Sequence, residues 1–142
     1  MRFMIIVKAT ARTEAGAFPE DKERVFAEMA DYHEQLARAG ALLDASGLQP
    51  SSKGWRIRYR GGKRTVIDGP FAEAKELIAG YTLIQVRSRE EALEWARRFP
   101  SPHGEQAEGE IEVRQLYEFE DLEPTAAIER FRELGIGAKA RA

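Results

Sequence analysis

The middle of the chain contains the stretch Asp68-Gly69-Pro70-Phe71-Ala72-Glu73-Ala74-Lys75-Glu76, and the predicted elements are arranged around it. Glycine adopts positive φ freely, and proline fixes φ near about −65°. An aspartate just before them can bond the backbone amides that follow. The stretch therefore predicts a rigid corner that presents the carboxylate of Asp68, with a short helical turn at residues 71–76. The competing interpretation is a structural turn that takes no part in a reactive site.

A β-hairpin is predicted immediately before the corner. Trp55, Ile57 and Tyr59 alternate with arginines, Gly61-Gly62 supplies the turn, and residues 65–67 form the returning strand. Residues 53–64 carry a charge of +6 in a chain of net charge −2, which leaves −8 on the remainder. We interpret the basic side chains as a solvated face or an anion-binding rim. Nucleic-acid binding is less favoured, because the aromatic and basic side chains fall on opposite faces of the strand.

The remaining elements are predicted from periodicity and end signals. We expect strands at residues 3–7, 41–48, 80–86 and 109–116, and helices at residues 19–39, 88–99 and 124–134. His33 falls among the apolar residues of the first helix. The first strand is apolar on both faces, which is typical of a central strand covered on two sides.

This order of elements predicts an α+β fold of the ferredoxin-like type. The strands form one antiparallel sheet with both main helices on one face, an inserted hairpin and a C-terminal helix. We expect a domain at residues 1–118 and a C-terminal helical extension at residues 119–142, whose basic end from Gly137 frays. A second copy is the simplest cover for the other sheet face, so we predict a homodimer.

Composition excludes several classes of site and location. The absence of cysteine removes disulfides, thiol nucleophiles and cysteine-ligated metals. Two histidines alone make a poor metal set, so we expect no metal and no cofactor. His103 lies in a proline-flanked loop and is expected to face solvent. No stretch approaches the roughly 20 apolar residues of a membrane span, and we expect a cytoplasmic protein without membrane contact.

The corner and its surroundings resemble a known family. Asp68-Gly69-Pro70-Phe71, the following residues 72–76 and Gly80-Tyr81 are similar to the signature of the DGPF domain within the YCII-related proteins. The opening strand, the segment Tyr32-His33-Glu34-Gln35-Leu36 and the closing strand at residues 109–114 match in order. The resemblance covers roughly residues 1–118. It implies a dimeric α/β barrel, in which two ferredoxin-like subunits pair sheet to sheet around a cleft.

The resemblance also implies site residues. His33 and Asp68 match the histidine and aspartate suspected of forming an acid–base pair in YCII-related proteins, and Phe71, Glu73, Lys75 and Tyr81 are candidate substrate-binding residues. A histidine can abstract a proton from a carbon acid or lactone when a carboxylate orients it. A core histidine is the competing interpretation for His33. For Glu73 and Lys75, the competing interpretation is ion pairing on a helix surface.

Together these observations predict a homodimer that binds a small organic molecule. It would use His33 and Asp68 for acid–base chemistry on a carbonyl or lactone-like substrate, although whether it is an enzyme at all stays open. The alternative is a binding or regulatory module without catalysis. Proteins with the DGPF domain are often encoded beside sigma factors, so a sigma factor is the partner implied for that module.

Overall fold

The computed structural model of the chain describes residues 1–138. The predicted basic end at Lys139 and Arg141 lies outside the described residues. The helices and strands, in chain order, are β1 (Arg2–Lys8), α1 (Ala11–Glu14), α2 (Lys22–Arg38), β2 (Leu42–Gly47), β3 (Trp55–Arg60), β4 (Lys63–Asp68), β5 (Ile78–Gln85), α3 (Arg89–Arg97), β6 (Ile111–Gln115) and α4 (Ala126–Glu133).

Four of the strands form one antiparallel sheet in the order β2-β5-β1-β6. With α2 and α3 as the crossover helices, this order is that of the ferredoxin-like fold, and the predicted α+β class is confirmed. The central position predicted for the first strand is also confirmed, because β1 pairs with β5 on one side and β6 on the other.

The core lies between the two crossover helices and one face of the sheet. Successive strand residues point to opposite faces, so Phe3 and Ile5 of β1 share a face with Thr82 and Ile84 of β5. Side chains from both helices bury this face. The core cluster consists of Phe3, Ile5, Tyr32, Leu36, Ala41, Ile84, Val86, Ala92 and Trp95.

Tyr32 joins the two helices inside this core. Its hydroxyl donates a 2.8 Å hydrogen bond to the backbone carbonyl of Trp95, and its ring meets the rings of Trp95 and Phe99 edge to face. Burial raises the pKa of Tyr32 to about 12. The hydroxyl therefore keeps its proton, and its donated hydrogen bond, throughout the neutral range.

The opposite face of the sheet carries Met4, Ile6 and Leu83, which are half-buried in the single subunit. A second copy that covers this face, as in the predicted homodimer, stays a prediction. Within residues 1–138, no helix is both long and apolar enough to cross a membrane.

The predicted hairpin is confirmed and forms a separate two-stranded sheet of β3 and β4. Its two-residue turn has φ of 55° at Gly61 and 77° at Gly62, values that glycine adopts without strain. Apart from the half-buried Ile67, every residue of the two strands is exposed. The hairpin therefore lies outside the packed layers.

Two local features differ from the predictions. The helical turn expected at residues 71–76 is a 3₁₀ turn confined to Ala74–Glu76. The segment before the first long helix contains α1, which was not predicted. Thr10 caps this helix, since the Thr10 and Thr13 side chains each accept the other's backbone amide. The predicted C-terminal helix, by contrast, is confirmed: it is α4, and Thr125 caps it.

Candidate functional site

A cavity of about 940 Å³, which we call the His33 cavity, lies beside α2 and β5. Its wall also includes α1 with the segment that follows it and the end of β2 with the turn after it. Most of its wall is apolar. The larger apolar side chains in the wall are Phe18, Phe26, Met29, Leu48 and Phe99. Phe18 and Phe26 meet edge to face at 5.8 Å between ring centres, and both are more than half exposed. These two rings therefore lie where the cavity meets solvent.

His33 is held by a hydrogen bond at each ring nitrogen. Nδ1 lies 2.7 Å from the backbone oxygen of Met29, one turn earlier in α2, and Nε2 lies 2.8 Å from Thr82 Oγ1 on β5. A carbonyl oxygen only accepts, so Nδ1 carries the proton. In the neutral ring, Nε2 therefore accepts the hydroxyl proton of Thr82. The partners thus assign the tautomer of His33.

Thr82 brings a hydroxyl into an otherwise apolar position. The alternation along β5 points Gly80, Thr82 and Ile84 toward the helices, and Thr82 is only 2% exposed. A buried hydroxyl without a partner would be costly, and His33 satisfies it. Sequence reasoning placed this strand but missed Thr82 as a site residue. The available signal was a polar side chain on the apolar face of a predicted strand.

The ring of His33 also contacts two aromatic side chains. Tyr32 lies at 5.4 Å and Phe99 at 6.3 Å between ring centres, both edge to face. The four contacts come from α2, β5 and the segment that follows α3. They hold the imidazole in one orientation at the cavity wall.

Asp68 is the last residue of β4, opposite Trp55 in the hairpin, and its side chain is exposed. It is not part of the wall of the His33 cavity. Both ring nitrogens of His33 have other partners. The structure therefore does not bring His33 and Asp68 together within one subunit.

The corner after Asp68 is anchored to the turn at Ser51–Lys53. The Phe71 amide donates to Ser51 Oγ at 3.0 Å, and the Gly69 amide donates to the Gly54 carbonyl at 3.0 Å. The Gly69–Pro70 peptide bond is cis. A Cβ on Gly69 would lie 1.8 Å from the Ser51 backbone oxygen, so only glycine fits there.

Ser51 links this corner to the cavity wall. Its amide donates to Glu14 Oε1 at 3.1 Å, and its hydroxyl donates a short hydrogen bond to Glu14 Oε2. Glu14 and the neighbouring Ser52 and Lys53 line the His33 cavity. Sequence reasoning missed Glu14 and Ser51, because 37 residues separate the two in the chain.

The four predicted substrate-binding residues are dispersed. Phe71 lies under the guanidinium of Arg56, 3.8 Å from its ring centre, and Glu73 is exposed. Lys75 lines a second cavity of about 430 Å³, whose wall shares Thr13, Ala17, Pro19 and His103 with the first. Tyr81 belongs to the wall of the His33 cavity. Its hydroxyl, however, donates to Asp44 Oδ2 at 2.9 Å, and this bond raises the pKa of Tyr81.

The prediction that His103 faces solvent was wrong. His103 is half-buried rather than solvent-exposed, and its Nε2 donates to the Lys8 backbone oxygen at 3.2 Å. It lies in the walls of both cavities. Among residues 1–138, no group of three or more histidine, aspartate and glutamate side chains is placed to hold a metal ion.

Comparison with known proteins identifies the family of this chain. Residues 1–120 match the family model of the YCII-related domain. An uncharacterized protein of Rhizobium meliloti (strain 1021) is 35% identical over 97 residues, which cover 68% of this chain and 77% of that protein. The family match over residues 1–120 includes His33, Thr82 and the corner, and it ends before α4 begins. The chain therefore belongs to the family of YCII-related domain proteins.

Proposed function

We propose that this protein binds a small, mostly apolar organic molecule in the His33 cavity, with a carbonyl or lactone group beside His33 and Thr82. The observation that carries the proposal is the 2.8 Å bond between these two residues in the wall of a largely apolar cavity of about 940 Å³. Ligand sites commonly have volumes of roughly 300–1,000 Å³ and few polar groups in their walls. The polar pair would then orient the polar end of the ligand.

The same pair can transfer a proton. Thr82 Oγ1 takes a proton from the substrate, either from a carbon next to the carbonyl or from a water that adds to a lactone. In the same step its own proton passes to Nε2 of His33. The imidazolium then donates to two acceptors, Thr82 Oγ1 and the Met29 carbonyl, which lie within hydrogen-bond distance in this structure. Returning the proton to the product restores the neutral ring.

Binding is tested by blocking the cavity. A thermal-shift screen with short lactones and aromatic ketones identifies compounds that raise the melting temperature of the full chain. Ala30 is an exposed residue of the cavity wall, so Ala30→Trp should abolish that shift. Ala27 is exposed on the same helix but lies outside the wall, and Ala27→Trp is the matched control. Equal shifts in both variants would contradict the proposed site.

Catalysis is tested on the compounds that bind. His33→Gln and Thr82→Val should each lower turnover about 10²- to 10⁴-fold while binding persists, which is the usual contribution of general acid–base catalysis. Thr65, exposed on β4, provides the matched control Thr65→Val. Undiminished turnover in both site variants would exclude the proton relay.

The predicted pair of His33 and Asp68 stays a prediction, as does the homodimer. Asp68→Asn distinguishes a role in the reaction from the role of a corner residue. If Asp68 from either subunit of a dimer takes part, this variant should lower turnover as His33→Gln does. Unchanged turnover would mean that Asp68 has no role in the reaction and serves only as a corner residue.

A binding module without catalysis is the second candidate. It is favoured by one observation: both ring nitrogens of His33 already have partners within the subunit. In that case the compounds found by thermal shift bind but are recovered unchanged after prolonged incubation. Association of the module with a sigma factor is implied only by the resemblance and stays a prediction.

A further inference from the structure

The second cavity, of about 430 Å³, is not used by the proton transfer described above, and we call it the Lys75 cavity. Its wall is formed by α1 with the residues on either side of it, the 3₁₀ turn at Ala74–Glu76 and the loop between α3 and β6. Ligand sites commonly have volumes of roughly 300–1,000 Å³. The Lys75 cavity is therefore large enough for a small organic group.

The wall of the Lys75 cavity carries charged side chains that do not neutralise one another. Arg12 and Lys75 contribute two positive charges and Glu108 one negative charge, which gives a net charge of +1 when His103 is neutral. None of these three has an ion pair with a residue that the structure describes. The guanidinium of Arg12 donates one long hydrogen bond, of 3.5 Å, to the carbonyl of Phe18. Two cations are therefore available to an anionic group in this cavity.

The Lys75 cavity adjoins the His33 cavity. Arg12 of α1 lines the first and Glu14 of the same short helix lines the second, so α1 lies between them. Residues common to both walls are Thr13, Ala17, Pro19 and His103. A ligand in one cavity is therefore separated from the other by no more than these side chains.

The two cavities differ in charge. The wall of the His33 cavity is mostly apolar and contains Lys53 and Glu14 as its charged side chains apart from the histidines. The carboxylate of Glu14 already accepts two hydrogen bonds from Ser51. The Lys75 cavity has two cations in less than half the volume. An anionic group is therefore better suited to the Lys75 cavity, and an apolar group to the His33 cavity.

We propose that the Lys75 cavity binds a carboxylate, and that this carboxylate belongs to the ligand whose apolar part occupies the His33 cavity. The second statement rests on the proposed function. Arg12 has a planar guanidinium whose paired N–H groups match a carboxylate, and Lys75 supplies a second cation. A monoanion also suits the net charge of +1 better than a doubly charged phosphate does. The ligand class is thus an apolar carbonyl compound with a terminal carboxylate.

Propionate tests the carboxylate site by itself. Titrated into the full chain, it should shift the NMR signals of the His103 ring and leave those of His33 in place, whereas chloride at equal ionic strength should shift neither. Ala30→Trp, which blocks the His33 cavity, should not change this response. Lys75→Gln should raise the apparent dissociation constant about threefold or more. The proposal is overturned if His103 does not respond, or if Lys75→Gln responds as the wild type does.

Two matched ketones test the ligand class. Butyrophenone and benzoylpropionate share a phenyl ketone, and their chains end in a methyl group and a carboxylate respectively. Calorimetry should show that benzoylpropionate binds about tenfold more tightly, the effect of one charge-assisted hydrogen bond. Arg12→Gln and Lys75→Gln should each remove most of this advantage without changing the affinity for butyrophenone, and Glu108→Gln should increase it. Lys63→Gln, exposed at the hairpin tip, is the matched control and should leave both affinities unchanged. Equal affinities for the two ketones, or an advantage that is lost in Lys53→Gln instead, would contradict the proposal.

The pair of experiments distinguishes failure of this inference from failure of the proposed function. If butyrophenone does not bind, the proposed function fails, and propionate still decides whether the Lys75 cavity binds a carboxylate. If butyrophenone binds and propionate gives no response, the proposed function stands and this inference fails. Circular dichroism checks that each variant is folded.

Discussion

The central strands and the hairpin are both strands with alternating side chains, yet their surroundings differ completely. In β5, Thr82 and Ile84 are at most 2% exposed, and the helices cover them. In β3, Trp55 and Tyr59 are more than 60% exposed, and no other layer covers them. Alternation therefore specifies which residues share a face of a strand. It does not specify whether anything covers that face.

The two regions also obtain their register from different sources. The hairpin register follows from Gly61-Gly62 and needs no distant contact. The register of β1 against β5 pairs residues about 80 positions apart, and it keeps Phe3 and Ile5 in the core. We therefore expect substitutions in the sheet to change stability strongly and those in the hairpin to change it little.

The largest contrast should come from one substitution made in both regions. Ile84 is fully buried, so Ile84→Ala should lower the free energy of unfolding by about 2–5 kcal/mol through lost burial and a new cavity. Ile57→Ala in the exposed hairpin should change it by less than about 0.5 kcal/mol in the monomer. Urea denaturation at low protein concentration measures both. A large effect at Ile57 would mean that the hairpin is part of the cooperative core.

The next contrast concerns two glycines. Gly69→Ala should lower the free energy of unfolding by about 1–3 kcal/mol, because a methyl group would overlap the Ser51 carbonyl. Gly62→Ala in the hairpin turn meets no atom within 4 Å and is opposed only by its positive φ. Its effect should be about 1 kcal/mol. Chemical denaturation distinguishes them, and equal values would refute the close approach at the corner.

The third prediction uses the buried tyrosine of the core. The pKa of Tyr32 is raised to about 12, so its stabilising effect is complete below pH 10 and is lost as pH rises through 12. Tyr32→Phe removes this pH dependence. Wild type should therefore lose on the order of 2 kcal/mol relative to the variant between about pH 9 and 12. Parallel unfolding curves of the two proteins over that range would contradict the assignment.

The smallest effect is expected at the cavity wall. Thr82→Val leaves Nε2 of His33 without its hydroxyl partner and should lower the free energy of unfolding by about 1 kcal/mol. Thr65→Val on the hairpin should be neutral within about 0.5 kcal/mol. Nitrogen-15 spectra of the His33 ring provide a direct readout. A proton on Nε2 rather than Nδ1 in wild type would refute the assigned tautomer.

The elements that depend on local chemistry could be predicted from the sequence. The hairpin turn, the cap of α3 at Ser88 and the apolar stripe of α2 each need only neighbouring residues, and each is present. These elements in order were sufficient for the ferredoxin-like topology. By contrast, α1 was missed because a four-residue helix has no periodicity and its cap uses Thr13 instead of the usual glutamate.

The site was predictable only in part, because it depends on contacts between distant residues. His33 was identified from the resemblance and its helix face, but its partner Thr82 is 49 positions away. Nothing in the spacing of the sequence indicates that pairing. The surroundings of Asp68 could not be predicted either. Its position beside glycine and proline suggested a site, but its side chain lies at the end of an exposed strand.

Ser51 has a consequence for thermodynamic linkage between the cavity and the hairpin. Its hydroxyl donates to Glu14 in the cavity wall and accepts the amide of Phe71 just after the hairpin. A ligand that takes the Glu14 carboxylate as its own partner removes an acceptor from Ser51, which also positions the corner. Occupancy of the cavity and the orientation of the hairpin would then share one coupling free energy, equal in both directions.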